Sequence, residues 1–261
     1  MTDIATPLKI SPSSLTWTEG GANAASHSSH CWRYIKHTQD KRSPIDPLYQ
    51  LTGAAHEHFH MRDLEKAGLE FEREKAFQIE TENFLVSGRM DFRLADSVDE
   101  CKSSLKPIYH KDLPKVDHTY QLAFYMVQEQ VQLGRLVYGR IQENQDDLLV
   151  RTQVETVSIS ITDGGDVLAG AAYTGFNVDS LMSSATGLAA ALSSNAMPDR
   201  PIPRGFMGPC KYCPLAATCD KYDAGEIGQD EFKAEIPSAL ASAKQTPAKL
   251  IKLRGKINGK F

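Results

Sequence analysis

Two strand-like runs lie in the middle of the chain and are separated by only three residues. The first run is FLVSGRMDFRL (84–94) and the second is VDECK (98–102), and the ADS between them favours a tight turn. Successive side chains of a strand point to opposite faces, so Glu100 and Lys102 share one face of the second strand. A short hairpin brings Asp91 of the first strand beside them. The two runs therefore predict a sheet at whose centre three charged groups meet.

Helical patterns lie on both sides of this hairpin. Apolar residues recur at helical spacing from Pro47, which suits a first helical turn, to about Gly68. The stretch 116–134 predicts an amphipathic helix that ends at a glycine. Further strand character is found at 71–79, 135–143 and 148–161. Helices that alternate with strands in this way predict an α/β core with a mixed central sheet flanked by helices.

The C-terminal third of the chain changes composition twice. Residues 162–194 are alanine-rich and are predicted to be mostly helical, and a Pro/Gly-rich segment with cysteines follows at 198–222. The last segment, 223–261, begins acidic and ends basic, and we expect it to be helical or partly disordered. We therefore divide the chain into one large domain, 1–222, and a C-terminal tail, 223–261.

The carboxylates of Asp91 and Glu100 repel each other unless a cation lies between them. Hard oxygen ligands with few fixed protein contacts suit Mg²⁺ or Mn²⁺. A lysine at the same point can neutralise developing phosphate charge or position an attacking water. This combination is typical of metal-assisted phosphodiester hydrolysis. The simpler interpretation is a solvated, charged strand face, because so short a motif also occurs by chance.

The neighbouring motifs resemble those of RecB-type PD-(D/E)XK nucleases. GRMDF followed by DECK is similar to the catalytic core of that family, with Met90 in place of the family's proline. TYQLAFYM is similar to the motif on the following helix, and Gln121 and Tyr125 hold its two positions on one helix face. TGAAHEHF is similar to the upstream glycine–histidine helix, which His56 matches at a spacing one residue shorter than the family's. The motifs keep the family's order over about residues 50–126.

This resemblance implies a restriction-endonuclease-like fold for the domain 1–222 and a nuclease that degrades single-stranded DNA from its ends. Lys102 is then expected to orient or activate the attacking water, while Gln121 and Tyr125 position the lysine or the DNA backbone. The thiol of Cys101 is expected to be buried in the core. The implied ligands of Mg²⁺ or Mn²⁺ are His56, Asp91, Glu100 and the backbone carbonyl of Cys101.

Four of the five cysteines form a second candidate site. Cys210, Cys213 and Cys219 are spaced C-x₂-C-x₅-C, and Cys31 is available as a fourth ligand. Four thiolates suit either zinc or an iron–sulfur cluster. One early cysteine and three late ones resemble the iron–sulfur RecB-like exonucleases, which include AddB and the small CRISPR-associated nucleases. The resemblance implies a structural 4Fe–4S cluster that joins the N-terminal and C-terminal segments of the fold, with structural Zn²⁺ as the alternative.

A histidine motif supports a different enzyme class. His56 to His60 read HEHFH and satisfy H-E-x-x-H, in which the two terminal histidines bind zinc and Glu57 is the general base of a metalloprotease. The sequence offers no third ligand, and a protease leaves the carboxylates, the lysine and the cysteines unexplained. A third hypothesis is a nuclease fold retained for DNA binding or assembly with little cleavage. The complete catalytic set argues against it.

The formal net charge of −4 argues mildly against a nucleic-acid binder, although a local basic groove is sufficient. KSSLKPIYHKDLPK follows the catalytic strand, and its side chains Lys106, Lys111 and Lys115 are candidates for phosphate contacts. Tyr109 or His110 is suited to stack on an unpaired base. The simpler interpretation of this segment is a solvated loop.

The expected surroundings of the protein follow from what the chain lacks. The chain has no run of about 18 apolar residues, which a membrane span would require. The start MTDIATPLKI has no signal-peptide pattern, and we therefore expect a cytoplasmic protein. The expected partner is DNA, single-stranded more than duplex. A helicase, a recombination protein or a CRISPR-adaptation protein would be a separate partner, and the sequence leaves the pathway open.

Overall fold

The structure is a computed structural model that describes residues 8–10, 47–80, 84–146, 148–183, 197, 213 and 215–242. The helices are α1 (Pro47–Lys66), α2 (Val116–Gln128), α3 (Ala216–Asp223) and α4 (Gln229–Ser242), with a 3₁₀ turn at His110–Asp112 and helical residues at 178–183. The strands are β1 (Leu8–Ile10), β2 (Phe71–Glu80), β3 (Phe84–Leu94), β4 (Ser97–Ser104), β5 (Leu133–Glu143), β6 (Leu149–Ile161), β7 (Asp166–Ala169) and β8 (Ala172–Asn177). No helix within these ranges is long and apolar enough to span a membrane.

The strands that the structure describes form one eight-stranded sheet. Its order is β1-β3-β4-β5-β6-β7-β8, and β2 pairs with the other side of β3. The pairs β2–β3, β3–β4 and β5–β6 are antiparallel, whereas β1–β3 and β4–β5 are parallel. α2 lies in the crossover between the parallel strands β4 and β5, which require a connection of this length. The prediction of an α/β fold with a mixed central sheet flanked by helices is confirmed.

Side chains of β5 alternate between the two helical layers. Leu136 and Tyr138 belong to the main buried cluster, together with residues of α2. On the opposite face, His56 of α1 lies 2.8 Å from the carbonyl oxygen of Val137, through its Nε2 atom. A Cβ atom built on Gly139 would lie only 2.2 Å from Nδ1 of the same histidine. The absence of a side chain at position 139 therefore allows α1 to pack closely against the middle of the sheet.

Helix α2 ends at Gln128, whereas the sequence predicted a helix through residue 134. Gln130 has a positive φ of 54°, and the N–H of Val131 donates to the carbonyl of Met126 at 3.0 Å, as in a Schellman C-cap. The predicted stop signal, Gly134, lies inside β5. A Cβ atom there would lie 2.8 Å from Sδ of Met126, so this glycine allows close approach of strand and helix rather than capping the helix.

The prediction that residues 162–194 are mostly helical is wrong for 162–177. This segment forms the β7–β8 hairpin, whose turn contains Gly170 with a φ of 60°. β7 also pairs with β6, and Val167 and Phe176 are buried in the main core. Pairing with β6 and burial of these two side chains override the helix propensity of the local composition. Helical structure begins at residue 178, and residues 184–196 lie outside the described part.

The last described elements form a small helical pair. α3 and α4 pack through a buried cluster that contains Leu215, Phe232, Ile236 and Leu240. The predicted boundary at 222/223 falls within α3, so residues on both sides of it contribute to one cluster. The division into two domains stays a prediction, and the basic end of the tail, 243–261, lies outside the described residues.

Candidate active site

The β3–β4 hairpin places the first candidate carboxylate against the neighbouring strand. Phe92 pairs with Asp99, and the N–H of Cys101 donates to Oδ2 of Asp91 at 2.7 Å. Burial raises the pKa of Asp91, although the Lys102 ammonium and the hydrogen bond from Cys101 oppose this shift. The backbone of β4 thus fixes the Asp91 carboxylate directly beside the strand that carries the other charged groups.

Four side chains from β4 and α2 form a continuous hydrogen-bonded row. Nζ of Lys102 donates to Oε1 of Glu100 and to Oε1 of Gln121, each at 2.7 Å. Nε2 of Gln121 donates to the hydroxyl of Tyr125, also at 2.7 Å. The i, i+4 spacing on α2 and the i, i+2 spacing on β4 bring these groups onto facing surfaces. The structure therefore brings together Glu100, Lys102, Gln121 and Tyr125, which the sequence singled out.

The environment of Glu100 is unusual for a carboxyl group. Its side chain is 3% exposed, and burial raises its pKa to about 8, with a further contribution from Asp91. Burial alone would lower the pKa of Lys102, but the Glu100 carboxylate and its hydrogen bond outweigh that effect and raise it. Lys102 is therefore an ammonium group at neutral pH. Ionisation of Glu100 is disfavoured, because it would add a second buried negative charge to that of Asp91.

A third carboxylate joins this cluster, and sequence reasoning missed its role. Burial raises the pKa of Glu57 on α1 to about 7, and the charge of Asp91 contributes to that rise. Glu57 in turn raises the pKa of Glu100. The sequence contained a signal for this role. The spacing from Gly53 to His56 is one residue shorter than the glycine–histidine spacing of the family that the sequence resembles, and the full spacing, counted from Gly53, reaches Glu57.

The predicted ligand His56 occupies a different environment. Burial lowers its pKa to about 4, so the ring is neutral, and Nε2 donates to the carbonyl oxygen of Val137. The other ring nitrogen, Nδ1, is buried, and among the described residues it has no hydrogen-bond partner. The charges that contribute most to its pKa belong to Arg151 and His60 rather than to the carboxylate cluster. The assignment of His56 as a metal ligand stays a prediction.

The last histidine of the HEHFH motif belongs to a buried charge network. Nε2 of His60 lies 2.8 Å from Oδ2 of Asp99. Arg135 donates to the same carboxylate through Nε at 2.7 Å and Nη2 at 2.6 Å. The two outer histidines of the motif thus contact different protein groups, one a backbone carbonyl and one a carboxylate. This arrangement does not favour the metalloprotease hypothesis.

The carboxylate cluster fits a hard divalent cation by donor type. Oε2 of Glu100 is buried, and within the described ranges it has no hydrogen-bond partner. Asp91 raises the pKa of both Glu57 and Glu100, and Glu57 raises that of Glu100, which is the repulsion that a cation between them would relieve. No three His, Cys, Asp or Glu side chains of the described part are already arranged to hold a metal ion. The site thus offers suitable oxygen donors without a preformed coordination shell.

The segment after β4 is anchored to β6. The N–H of Ile108 donates to Oε1 of Gln153 at 3.1 Å, and Nε2 of Gln153 donates back to the carbonyl of Ile108 at 2.6 Å. Farther along, the N–H of Lys115 donates to the hydroxyl of Tyr138 at 3.2 Å. The predicted DNA-contacting side chains are all exposed: Lys106, Tyr109, His110, Lys111 and Lys115. Their role in DNA binding stays a prediction.

Two of the four candidate cluster cysteines, Cys213 and Cys219, lie in the described part of the chain. Cys31 and Cys210 lie outside the described residues. Cys213 lies three residues before the first residue of α3, and its carbonyl accepts from the N–H of Ala216, whereas Cys219 lies within that helix. Both side chains pack against the α3–α4 cluster. The four-cysteine cluster and the clamp that it would form stay predictions.

Cys101 is half-buried and packs beside Leu64, Phe92 and Leu94 on the α1 face of the sheet. Burial raises the pKa of its thiol well above the usual range, and the nearby carboxylates raise it further. These surroundings are those of a packing residue rather than a reactive thiol. Its N–H contacts Asp91, and the proposed ligation by its backbone carbonyl stays a prediction.

No protein-family model matches this chain, and no curated protein sequence matches it. Solved structures similar to it include a phage-related exonuclease from Haemophilus somnus 129PT, 12% identical with a TM-score of 0.48 over 72% of this chain and 92% of that one. An alkaline exonuclease from Laribacter hongkongensis is 14% identical, with a TM-score of 0.48 over 70% and 87% of the two chains. The structure of SSO0001 is 18% identical, with a TM-score of 0.47 over 81% and 86%. Because these TM-scores are below 0.5, a functional assignment has to rest on the geometry of this chain.

Proposed function

We propose that this protein is a metal-dependent DNA nuclease of the PD-(D/E)XK type that degrades single-stranded DNA from its ends. One observation carries the proposal. The ammonium of Lys102 is fixed at 2.7 Å from both Glu100 and Gln121, at the edge of a buried carboxylate cluster that includes Asp91. A buried cluster of like charges that raises its own pKa values indicates a functional site, because it destabilises the fold unless a ligand neutralises it.

The donor set implies Mg²⁺ or Mn²⁺, which when bound would neutralise the carboxylates and polarise a phosphoryl oxygen. Asp91 and Glu100 would hold the ion. The family resemblance implies His56 and the Cys101 carbonyl as further ligands, and the coupling of Glu57 to Asp91 and Glu100 favours Glu57 over His56 as the ligand from α1.

The lysine acts as a charged donor rather than a base. Its raised pKa keeps Lys102 protonated, and an ammonium carries three N–H donors. Two of these donate to Glu100 and Gln121, which leaves one to orient the attacking water or to neutralise charge on the phosphate. Tyr125 keeps the Gln121 amide in the required orientation, because Nε2 donates to the tyrosine hydroxyl and Oε1 therefore faces the lysine.

The first test compares variants of Glu57 and His56 by their cleavage of end-labelled single-stranded DNA with Mn²⁺. Glu57→Gln removes a carboxylate from the cluster, and we expect cleavage to fall roughly 100-fold and Mn²⁺ affinity to fall with it. His56→Gln keeps an N–H donor for Val137, and we expect cleavage within about tenfold of wild type. Loss of cleavage and of Mn²⁺ binding in a folded His56→Gln protein, with Glu57→Gln unaffected, would instead make the histidine the ligand.

The mode of cleavage is tested on the wild-type protein with matched substrates. We expect release of short products from linear single strands, slower degradation of linear duplexes and no cutting of closed circular single strands. The labelled end reports the polarity. Cutting of the closed circles would contradict the exonuclease part of the proposal. A folded protein that binds DNA and never cuts it would favour the binding-module hypothesis. A separate helicase, recombination or CRISPR-adaptation partner belongs to the same proposal.

The cysteines carry a separate proposal, that Cys31, Cys210, Cys213 and Cys219 hold a structural 4Fe–4S cluster. It is supported by their spacing and by the packing of Cys213 and Cys219 around the start of α3. We expect about four iron and four labile sulfide ions for each purified chain. Cys219→Ala should lower both contents and the melting temperature, whereas Cys101→Ala, the control, should keep the full iron content. A content of about one zinc ion per chain, without iron, would instead indicate a structural zinc site at these cysteines.

A further inference from the structure

A cleft of about 340 Å³ lies between the C-terminal half of α1 and the start of β6, apart from the carboxylate cluster. Three of the residues that line it are cationic, one is an acid and one is aromatic. They are Phe59, Arg62, Asp63, Lys66, Val150 and Arg151. The cleft thus has an excess of positive charge on a protein whose net charge is −4. Such a local excess attracts anions.

Arg151 is held rigidly at the base of this cleft. Its Nη2 donates to the carboxylate of Asp63, and its guanidinium carbon lies 5.6 Å from the centre of the Phe59 ring. Its side chain is only 14% exposed. Its Nη1 is buried and has no hydrogen-bond partner in the part of the chain that the structure describes. This positioned guanidinium supplies a fixed positive charge beside the cleft, and its buried Nη1 offers no open surface to a ligand.

Arg62 and Lys66 supply the remaining charge. They lie one helical turn apart on α1, so that both side chains border the same side of the cleft. Both are exposed, and neither forms an ion pair with any residue in the described ranges. Because Asp63 is already engaged by Arg151, the acid does not neutralise these two cations directly.

The cleft and the carboxylate cluster lie on opposite flanks of α1. At 100° per residue, Arg62 and Lys66 are rotated by roughly 140° and 180° from Glu57. A helix with its side chains is about 10–12 Å across, and a duplex strand advances about 3.4 Å for each nucleotide. Arg62 and Lys66 also lie about 8–14 Å farther along the helix axis than Glu57. A strand held at the carboxylates would therefore reach the cleft after about four to five further nucleotides.

We propose that this cleft binds a backbone phosphate of the DNA strand several nucleotides away from the bond that is cleaved. The inference rests on the proposed function for the identity of the strand. The exposed Arg62 guanidinium would donate to the phosphate, with Lys66 and the positioned Arg151 adding charge. The cleft binds backbone rather than a base, because Arg151 already covers one face of its aromatic residue, Phe59.

The test is equilibrium binding of a 20-nucleotide single strand to the full chain in EDTA, which prevents cleavage, over a range of salt concentrations. Arg62→Gln/Lys66→Gln should reduce the slope of log K against log[salt] by about 0.7, because one phosphate contact on a single strand contributes about 0.7. The control Lys221→Gln/Lys233→Gln removes the same charge from α3 and α4, and it should leave the slope unchanged.

Two results would overturn the inference. One is an equal slope in the cleft variant and the control. The other is a cleft variant that loses affinity for a deoxynucleoside monophosphate but not for the 20-nucleotide strand, which would make the ligand a free nucleotide. Failure of the proposed function is separable, because binding is measured without cleavage. A protein that never cuts DNA but shows the slope change would support the cleft proposal alone. A protein that cuts DNA with unchanged slopes would support the nuclease proposal alone.

Discussion

Replacing Glu100 by glutamine abolishes DNA cleavage and removes most of the pH dependence of stability in the metal-free protein. We expect cleavage to fall by roughly 1,000-fold, because the variant loses a central carboxylate of the site without changing its shape. Wild-type Glu100 has a folded pKa of about 8 against an ordinary value of 4.5. Its protonated form is therefore favoured by folding, and that stability is present below pH 4.5 and is lost as the pH rises to about 8.

The size of this effect makes it measurable by urea denaturation at pH 5 and pH 8 in EDTA. A shift of this size corresponds to a loss on the order of 4 kcal/mol from Glu100 in wild type, and the slope that remains in Glu100→Gln belongs to Glu57 and Asp91, whose pKa values are also raised. Mn²⁺ should restore more stability at pH 8 than at pH 5, because it binds ionised carboxylates. Glu65→Gln, on the exposed side of α1, is the control. A wild-type stability that does not change with pH would refute the assignment of a buried, repelled carboxyl group.

Replacing Lys102 by methionine also abolishes cleavage, and it destabilises the protein rather than flattening its pH profile. Removal of the ammonium leaves Glu100 buried without its partner, and breaking such a pair costs about 3 kcal/mol. The double variant Glu100→Gln/Lys102→Met should recover much of that stability, because both charges are gone, and it should remain inactive. Stability is measured at pH 8 in EDTA, and cleavage is measured with Mn²⁺.

The exposed Lys233 provides the matched control for the lysine experiment. Lys233→Met should change neither stability nor cleavage appreciably, because its side chain is 51% exposed. An active Lys102→Met protein would remove the lysine from the catalytic site. A double variant as unstable as Lys102→Met would show that the two charges do not interact in the fold.

The centre of the site could be predicted from the sequence because it depends on local geometry. A two-residue turn places Asp91 near Glu100, and the strand period of two places Lys102 on the same face as Glu100. Gln121 and Tyr125 face the same way because four residues complete about one turn of helix α2. None of these relations requires knowledge of distant contacts.

The missed features depend on contacts between distant parts of the chain. Whether His56 or Glu57 faces the carboxylates is decided by the rotation of α1 about its axis, which the packing of the helix on β5 sets. The helix predicted for 162–194 is replaced in part by a hairpin, because pairing with β6 outweighs local composition. The cleft at Arg151 is likewise invisible in the sequence, since its two sides come from α1 and β6, 88 residues apart at the Asp63–Arg151 pair.

The close packing of His56 on Gly139 links two positions that would otherwise be free to vary separately. A larger residue at 139 would push α1 away from the sheet or rotate it, and Glu57, the next residue on that helix, would move with it. In related chains that keep the same carboxylate cluster, we expect a side chain at the position of Gly139 to be accompanied by a smaller residue at the position of His56. Positions 56 and 139, neither of which touches DNA, would then change together. The residues tolerated at position 139 would be limited by the need to keep Glu57 beside the other carboxylates.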